Sequence, residues 1–173
     1  MGYRKNFILV FIIIISLISP SNIYARSKKS LELSLIFDKS EYTKKDDIVL
    51  NFSLKNTGKK DVYVNKRFFL NSKEASNENR EVYLIVESPS GEKLPYKGSS
   101  EAGLPRTDDL VLLAPGKEVK LSREKNIKHL FDFNESGEYR ITAVYQNVYG
   151  KEIGINAVKN KIVSKPVVIK ITE

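Results

Sequence analysis

One histidine, His129, and no cysteine stand in the whole chain, and those two counts limit the chemistry available to it. Zinc motifs of the metallopeptidase kind need two histidines at helical spacing, so they cannot be built. Thiolate nucleophiles, disulfide frameworks, Cys-based zinc sites and a lipid anchor on Cys are absent with the residue itself. A Ser-His-acid triad could use His129, yet no Gly-x-Ser-x-Gly elbow occurs to present the serine, and His129 reads as a surface or strand-edge residue. Ser90 to Lys93 and Ser122 to Lys125 match Ser-x-x-Lys, a spacing that activates serine only when both residues share one face of a helix. Ser90 falls in a turn and Ser122 at a strand end, so neither pair is set for catalysis. Asp46-Asp47 and Asp108-Asp109 are isolated acidic pairs, whereas calcium takes six to eight oxygen ligands; they suit turns before strands, where Asp bonds local backbone. No glycine loop cradles a phosphate. The residues therefore assign no catalytic group, no metal ligand and no cofactor site, and the chain reads as non-enzymatic.

What remains is recognition by loops. Ser99 to Asp108 contains Leu104-Pro105-Arg106, where a proline limits backbone freedom between an apolar and a cationic side chain, as an extended recognition or inhibitory loop requires. These three residues are the candidate contact loop. Phe68-Phe69-Leu70 reads as core or sheet edge, with an exposed contact patch as the alternative.

The elements that must position such loops are strands. From Leu31 onward apolar residues recur at every second position, the period of a half-buried strand. Leu31, Leu33, Leu35 and Phe37 alternate with Glu32, Ser34 and Asp38, and Ile48, Leu50, Phe52 and Leu54 alternate with Asn51, Ser53 and Lys55. Further strands are expected over Asp61 to Asn65, Glu81 to Glu87, Leu110 to Leu113, Val119 to Ser122, Tyr139 to Gln146 and Pro166 to Thr172. Turn residues separate them at Asn56-Thr57-Gly58, Pro89-Ser90-Gly91, Pro115-Gly116 and Glu135-Ser136-Gly137. No amphipathic helix is evident. The pattern predicts an all-β, Ig-like antiparallel β-sandwich of about seven to eight strands, with a small antiparallel barrel as runner-up. Three long connections are left over: Lys66 to Arg80, Gly98 to Asp109, and Asn147 to Lys165.

Glu135-Ser136-Gly137-Glu138-Tyr139-Arg140-Ile141 puts a tyrosine just after a glycine turn at a strand start, the placement of a tyrosine corner. Tyr139 would then hydrogen-bond backbone near Asp132 to Glu135, and Ile141 would stand where an antibody domain has its second Cys. The order Ile48 to Gly58, Val86 to Gly91, Leu113 to Lys117 and Gly137 to Tyr145 resembles a recurrent bacterial extracytoplasmic Ig-like module. Similar modules stand alone as exported proteins of uncharacterised role or form the non-catalytic domain of secreted peptidyl-lysine metalloendopeptidases; similarity to the intracellular proteinase inhibitor family is weaker. Ala157 to Pro166 resembles the closing segment of the standalone proteins, with Val158 and Asn160 where Trp and Gly are common there. The shared residues are turns and core, so the resemblance implies fold more than function.

The N-terminus predicts destination. Arg4 and Lys5 precede the apolar block Phe7 to Ile15, which Ser16 interrupts and Pro20 stops, and Ala25 closes a cleavage site: the order of a secretory signal peptide over 1–25. A membrane span needs about 20 apolar residues, so an uncleaved anchor is the lesser reading, and no transmembrane span is expected after cleavage. Residues 26–173 form the expected single domain, periplasmic or extracellular. The formal charge of the chain is +8, and its lysine pairs (Lys28-Lys29, Lys44-Lys45, Lys59-Lys60) read as solvated strand ends with weak attraction to anionic envelope polymers. Nucleic acid is not an expected partner, since no aromatic-interleaved basic motif occurs. The reading is an exported, non-enzymatic Ig-like binding module of the bacterial envelope, its partner a protein or envelope polymer. The alternative is a protease inhibitor or protease-associated regulatory domain, the partner then being a protease.

Overall fold

The computed structural model describes residues 31–121 and 124–173; the expected signal peptide, residues 1–25, and Ser122 lie outside the described residues. Eleven strands follow in order: β1 (Leu31–Phe37), β2 (Glu41–Thr43), β3 (Val49–Asn56), β4 (Val62–Asn65), β5 (Val82–Glu87), β6 (Leu110–Leu113), β7 (Glu118–Lys120), β8 (Lys125–Asn126), β9 (Gly137–Tyr145), β10 (Ile162–Val163) and β11 (Val167–Thr172). Eight of these are the strands the alternation predicts. The other three, β2, β8 and β10, are two or three residues long, too short to carry a period. Among the described residues the only helical elements are three single 3-10 turns, and no helix is long and apolar enough to cross a membrane.

The strands form two facing layers, as in an Ig-like sandwich. One sheet is β1-β3-β7, all antiparallel, with β8 pairing the start of β3. In the other, β9 lies between β5 on one edge and β10 and β11 on the other, and β2 adds to β11 in parallel. A separate ribbon pairs β4 with β6. The register follows the sequence period. Leu31, Leu33 and Leu35 of β1 and Leu50, Phe52 and Leu54 of β3 are buried against Val86, Tyr139, Ile141, Ala143, Ile169 and Ile171 from the second layer, in one apolar cluster. A one-residue slip would turn each strand's apolar set to water, so burial itself selects the pairing.

Three tyrosine hydroxyls accept a backbone N–H inside this scaffold. The Tyr139 hydroxyl accepts from the Glu135 N–H and donates to the Glu135 carbonyl, both at 3.0 Å, while its ring is fully buried against Phe133. That is the geometry of a tyrosine corner, at the start of β9. The Tyr145 hydroxyl does the same to Asn65, accepting from its N–H at 2.8 Å and donating to its carbonyl at 3.1 Å, so the end of β9 holds the end of β4. Tyr42 accepts from the Lys39 N–H and donates to Asp38. Burial holds all three hydroxyls above the ordinary range for tyrosine, with the Asp38 contact adding to the effect at Tyr42.

Candidate functional site

The long connections converge where β4 ends, β5 begins and β9 ends. Their meeting point starts with Phe68, which is wholly buried between Phe52 and Tyr145, with ring centroids 6.1 and 5.8 Å away. Phe68 adopts φ 48°, a left-handed conformation unusual for a bulky side chain. Packing of the ring offsets that backbone strain, and the twist sets its neighbours: Arg67 turns toward the 98–109 connection, and the Phe69 N–H toward Glu81.

Glu81 is 1% exposed. Its carboxylate accepts from Arg67 Nε at 2.6 Å and from the Phe69 N–H at 2.8 Å, and a second guanidinium nitrogen of Arg67 completes the ion pair. A carboxylate this buried requires such partners, because leaving it unpaired costs several kcal/mol. The same guanidinium then reaches outward. It donates to the Gly103 carbonyl at 3.1 and 3.2 Å and to the Ala102 carbonyl at 3.4 Å. Asn79 Oδ1 accepts from the Ala102 N–H at 3.1 Å, and Asn71 Nδ2 donates to the Asn79 and Ser100 carbonyls at 2.8 and 2.9 Å. The third connection joins through Tyr149, whose hydroxyl donates to Glu78 at 3.3 Å.

The candidate contact residues sit between two anchors on this platform. Gly103 is held by Arg67 on one side; on the other, the Arg106 N–H donates to Asp109 Oδ2 at 2.8 Å and the Asp109 carbonyl accepts from Lys66 N–H at 2.8 Å. Leu104 between them is 61% exposed, the most open large apolar side chain of those described. Pro105 is half-buried and Arg106 exposed, and Arg106 has no ion pair among the described residues. Phe68 and Leu70 are buried and Phe69 is half-buried under Arg67, 5.7 Å from its ring centroid, so that triplet supports the platform from beneath.

The other residues weighed for chemistry are scattered. His129 is exposed in a turn and lines a cavity of about 190 Å³ with Lys44, Asp46, Lys128 and Asp132. Ser90 lies in the Pro89-Ser90-Gly91 turn, 2.7 Å from the Ser88 hydroxyl. Asp46 Oδ2 accepts from the Thr43 N–H at 2.7 Å, a bond that holds its carboxyl below the usual carboxylate range. Among the described residues no group of three His, Asp or Glu side chains could hold a metal. Sequence reasoning singled out Leu104, Pro105 and Arg106, which lie on a surface connection, and missed Arg67 and Glu81. In the strand's alternation Glu81 takes the outward parity of Tyr83 and Ile85, and nothing local marks it as buried.

No protein-family model matches the chain, and no curated protein matches it. Among solved structures it is similar to the β-glucosidase EmGH1 from Erythrobacter marinus, at TM-score 0.33 and 16% identity, over 83% of this chain and 15% of that one. The chain thus spans a small fraction of that enzyme's length, and a likeness so slight carries no argument about fold or activity.

Proposed function

We propose that the chain is an exported, non-enzymatic Ig-like binding module of the bacterial envelope that engages a protein or envelope polymer through Leu104, Pro105 and Arg106. The observation that carries this reading is the buried Arg67–Glu81 pair, which spends a costly desolvated charge on clamping the carbonyl of Gly103, immediately before the loop tip. A tip fixed this way loses little conformational freedom on binding. An exposed leucine beside an exposed guanidinium supplies one apolar and one cationic contact.

The test compares binding of the immobilised chain to a bacterial envelope fraction with binding by Leu104→Asp and Arg106→Glu. Each is expected to lose roughly tenfold or more, as for residues near an interface centre, while Ile36→Asp, on exposed β1 surface, keeps full binding. Equal retention by all three variants rejects the loop as the contact. A protease inhibitor is the second reading, favoured by the support of the carbonyl that precedes Leu104. It predicts that the intact chain, but not Leu104→Asp, slows hydrolysis of casein by envelope proteases.

A further inference from the structure

Strand β5 has an open window in its outer edge. Residues 83, 85 and 87 face β9, so Val82, Leu84 and Val86 turn their backbone groups away from the sheet. At one end of the strand the Val82 N–H donates to the Phe69 carbonyl and the Val82 carbonyl accepts from the Asn71 N–H; at the other the Val86 carbonyl accepts from the Leu94 N–H at 2.8 Å. Between these, the N–H and C=O of Leu84 and the N–H of Val86 have no partner among the described residues. Beyond Leu94 the next residue whose backbone would meet β5 is Tyr96, but the chain departs at Pro95 and places Tyr96 edge-on to Phe131.

The departure leaves a cavity of about 220 Å³ beside the unpaired groups, walled by Ile85, Leu94, Pro95 and Tyr96. Lys73 and Lys93 stand at its rim, both exposed and neither in an ion pair among the described residues. Glu74, also at the rim, is engaged by the Ser72 hydroxyl. Two donors and one acceptor in a row are what an extended polypeptide backbone satisfies. The gap from Val82 to Val86 measures about 13 Å along the strand and is blocked by the chain itself at both ends. A strand running through would have to lift off at each block, and a second copy would bring the same blocks to the pairing. A chain end needs only to enter. The excess of donors over acceptors and the two exposed ammonium groups, set against the single Glu74 carboxylate that Lys73 already attracts, favour the end that carries negative charge.

We propose that the β5 window binds the C-terminal residues of an extended peptide, its free carboxylate beside Lys73 and Lys93 and an apolar terminal side chain in the cavity. This site is separate from the Leu104 tip and stands whether or not that tip binds.

The probe is a pool of hexapeptides randomised over the last three positions, made once as free acids and once as C-terminal amides. It is titrated into the isotope-labelled chain and read from the backbone amide resonances. The free-acid pool is expected to shift the amides of Leu84, Val86 and Leu94, and amidation to weaken the effect roughly tenfold, the loss of one charge-assisted contact. Lys93→Glu should weaken it similarly and Lys59→Glu, an exposed lysine that does not line the cavity, should not; unchanged resonances outside the window show that Lys93→Glu is folded. No shift at about 1 mM total pool overturns the proposal, because the terminal carboxylate and extended backbone that the window reads are shared by every member and all add to one signal. Equal shifts with the amidated pool also overturn it, assigning the edge to internal segments. Concentration-dependent shifts of the same amides without peptide overturn it in favour of self-association.

Discussion

Replacing Arg67 by leucine tests the platform at its root. Leucine fills part of the same space but leaves the Glu81 carboxylate, 1% exposed, with the Phe69 N–H as its remaining bonded partner of those described. Breaking a buried pair by removing one partner costs about 3 to 5 kcal/mol, and the lost bonds to Gly103 and Ala102, whose surroundings are more open, add about 1 kcal/mol. The expected loss is therefore about 4 to 6 kcal/mol, a large part of the stability of a typical domain. Lys97 and Asp132 give the contrast: their side chains are 50% and 45% exposed, and Lys97→Ala should cost about 1 kcal/mol or less. Urea denaturation at neutral pH, with a common slope for all variants, measures both. The double variant Arg67→Leu/Glu81→Met separates the cause, because removing the stranded charge should recover most of the loss, leaving the unpaired Phe69 N–H at about 1 to 3 kcal/mol. A double variant as unstable as Arg67→Leu alone would refute the argument, showing that packing around Arg67, and not its charge, holds the loops.

Tyr139→Phe keeps the ring and removes a hydroxyl that serves both backbone groups of Glu135, so it should cost about 1 to 3 kcal/mol, whereas Tyr149→Phe, which gives up a bond to exposed Glu78, should be near neutral in the same denaturant melts. Burial raises the Tyr42, Tyr139 and Tyr145 hydroxyls above their unfolded value of 10.0. Stability from a group raised in this way is complete below its unfolded pKa and lost as pH climbs toward its folded one. The chain should therefore lose stability above about pH 10, and ultraviolet titration should show these phenols ionising together with loss of near-ultraviolet circular dichroism. Smooth ionisation before any unfolding would count against their burial.

Local pattern alone determined the strands and the face each one buries, because a period of two over Leu31 to Phe37 and Ile48 to Leu54 allows one orientation of each strand, and turn residues set where each ends. The Tyr139 corner was legible for the same reason: its partner lies four residues away, within the reach of local sequence. The tip at Leu104-Pro105-Arg106 could be singled out by residue type, since proline restricts its own backbone wherever it stands. Tertiary structure alone decided what holds that tip. Arg67 meets Gly103 across 36 residues and Tyr145 meets Asn65 across 80, and no period or spacing encodes contacts that arise only when separate strands are stacked. The open β5 edge belongs to the same class. Which backbone groups stay unpaired depends on where Leu70 and Leu94 dock against β5, and docking is settled by the packing of side chains from the whole chain.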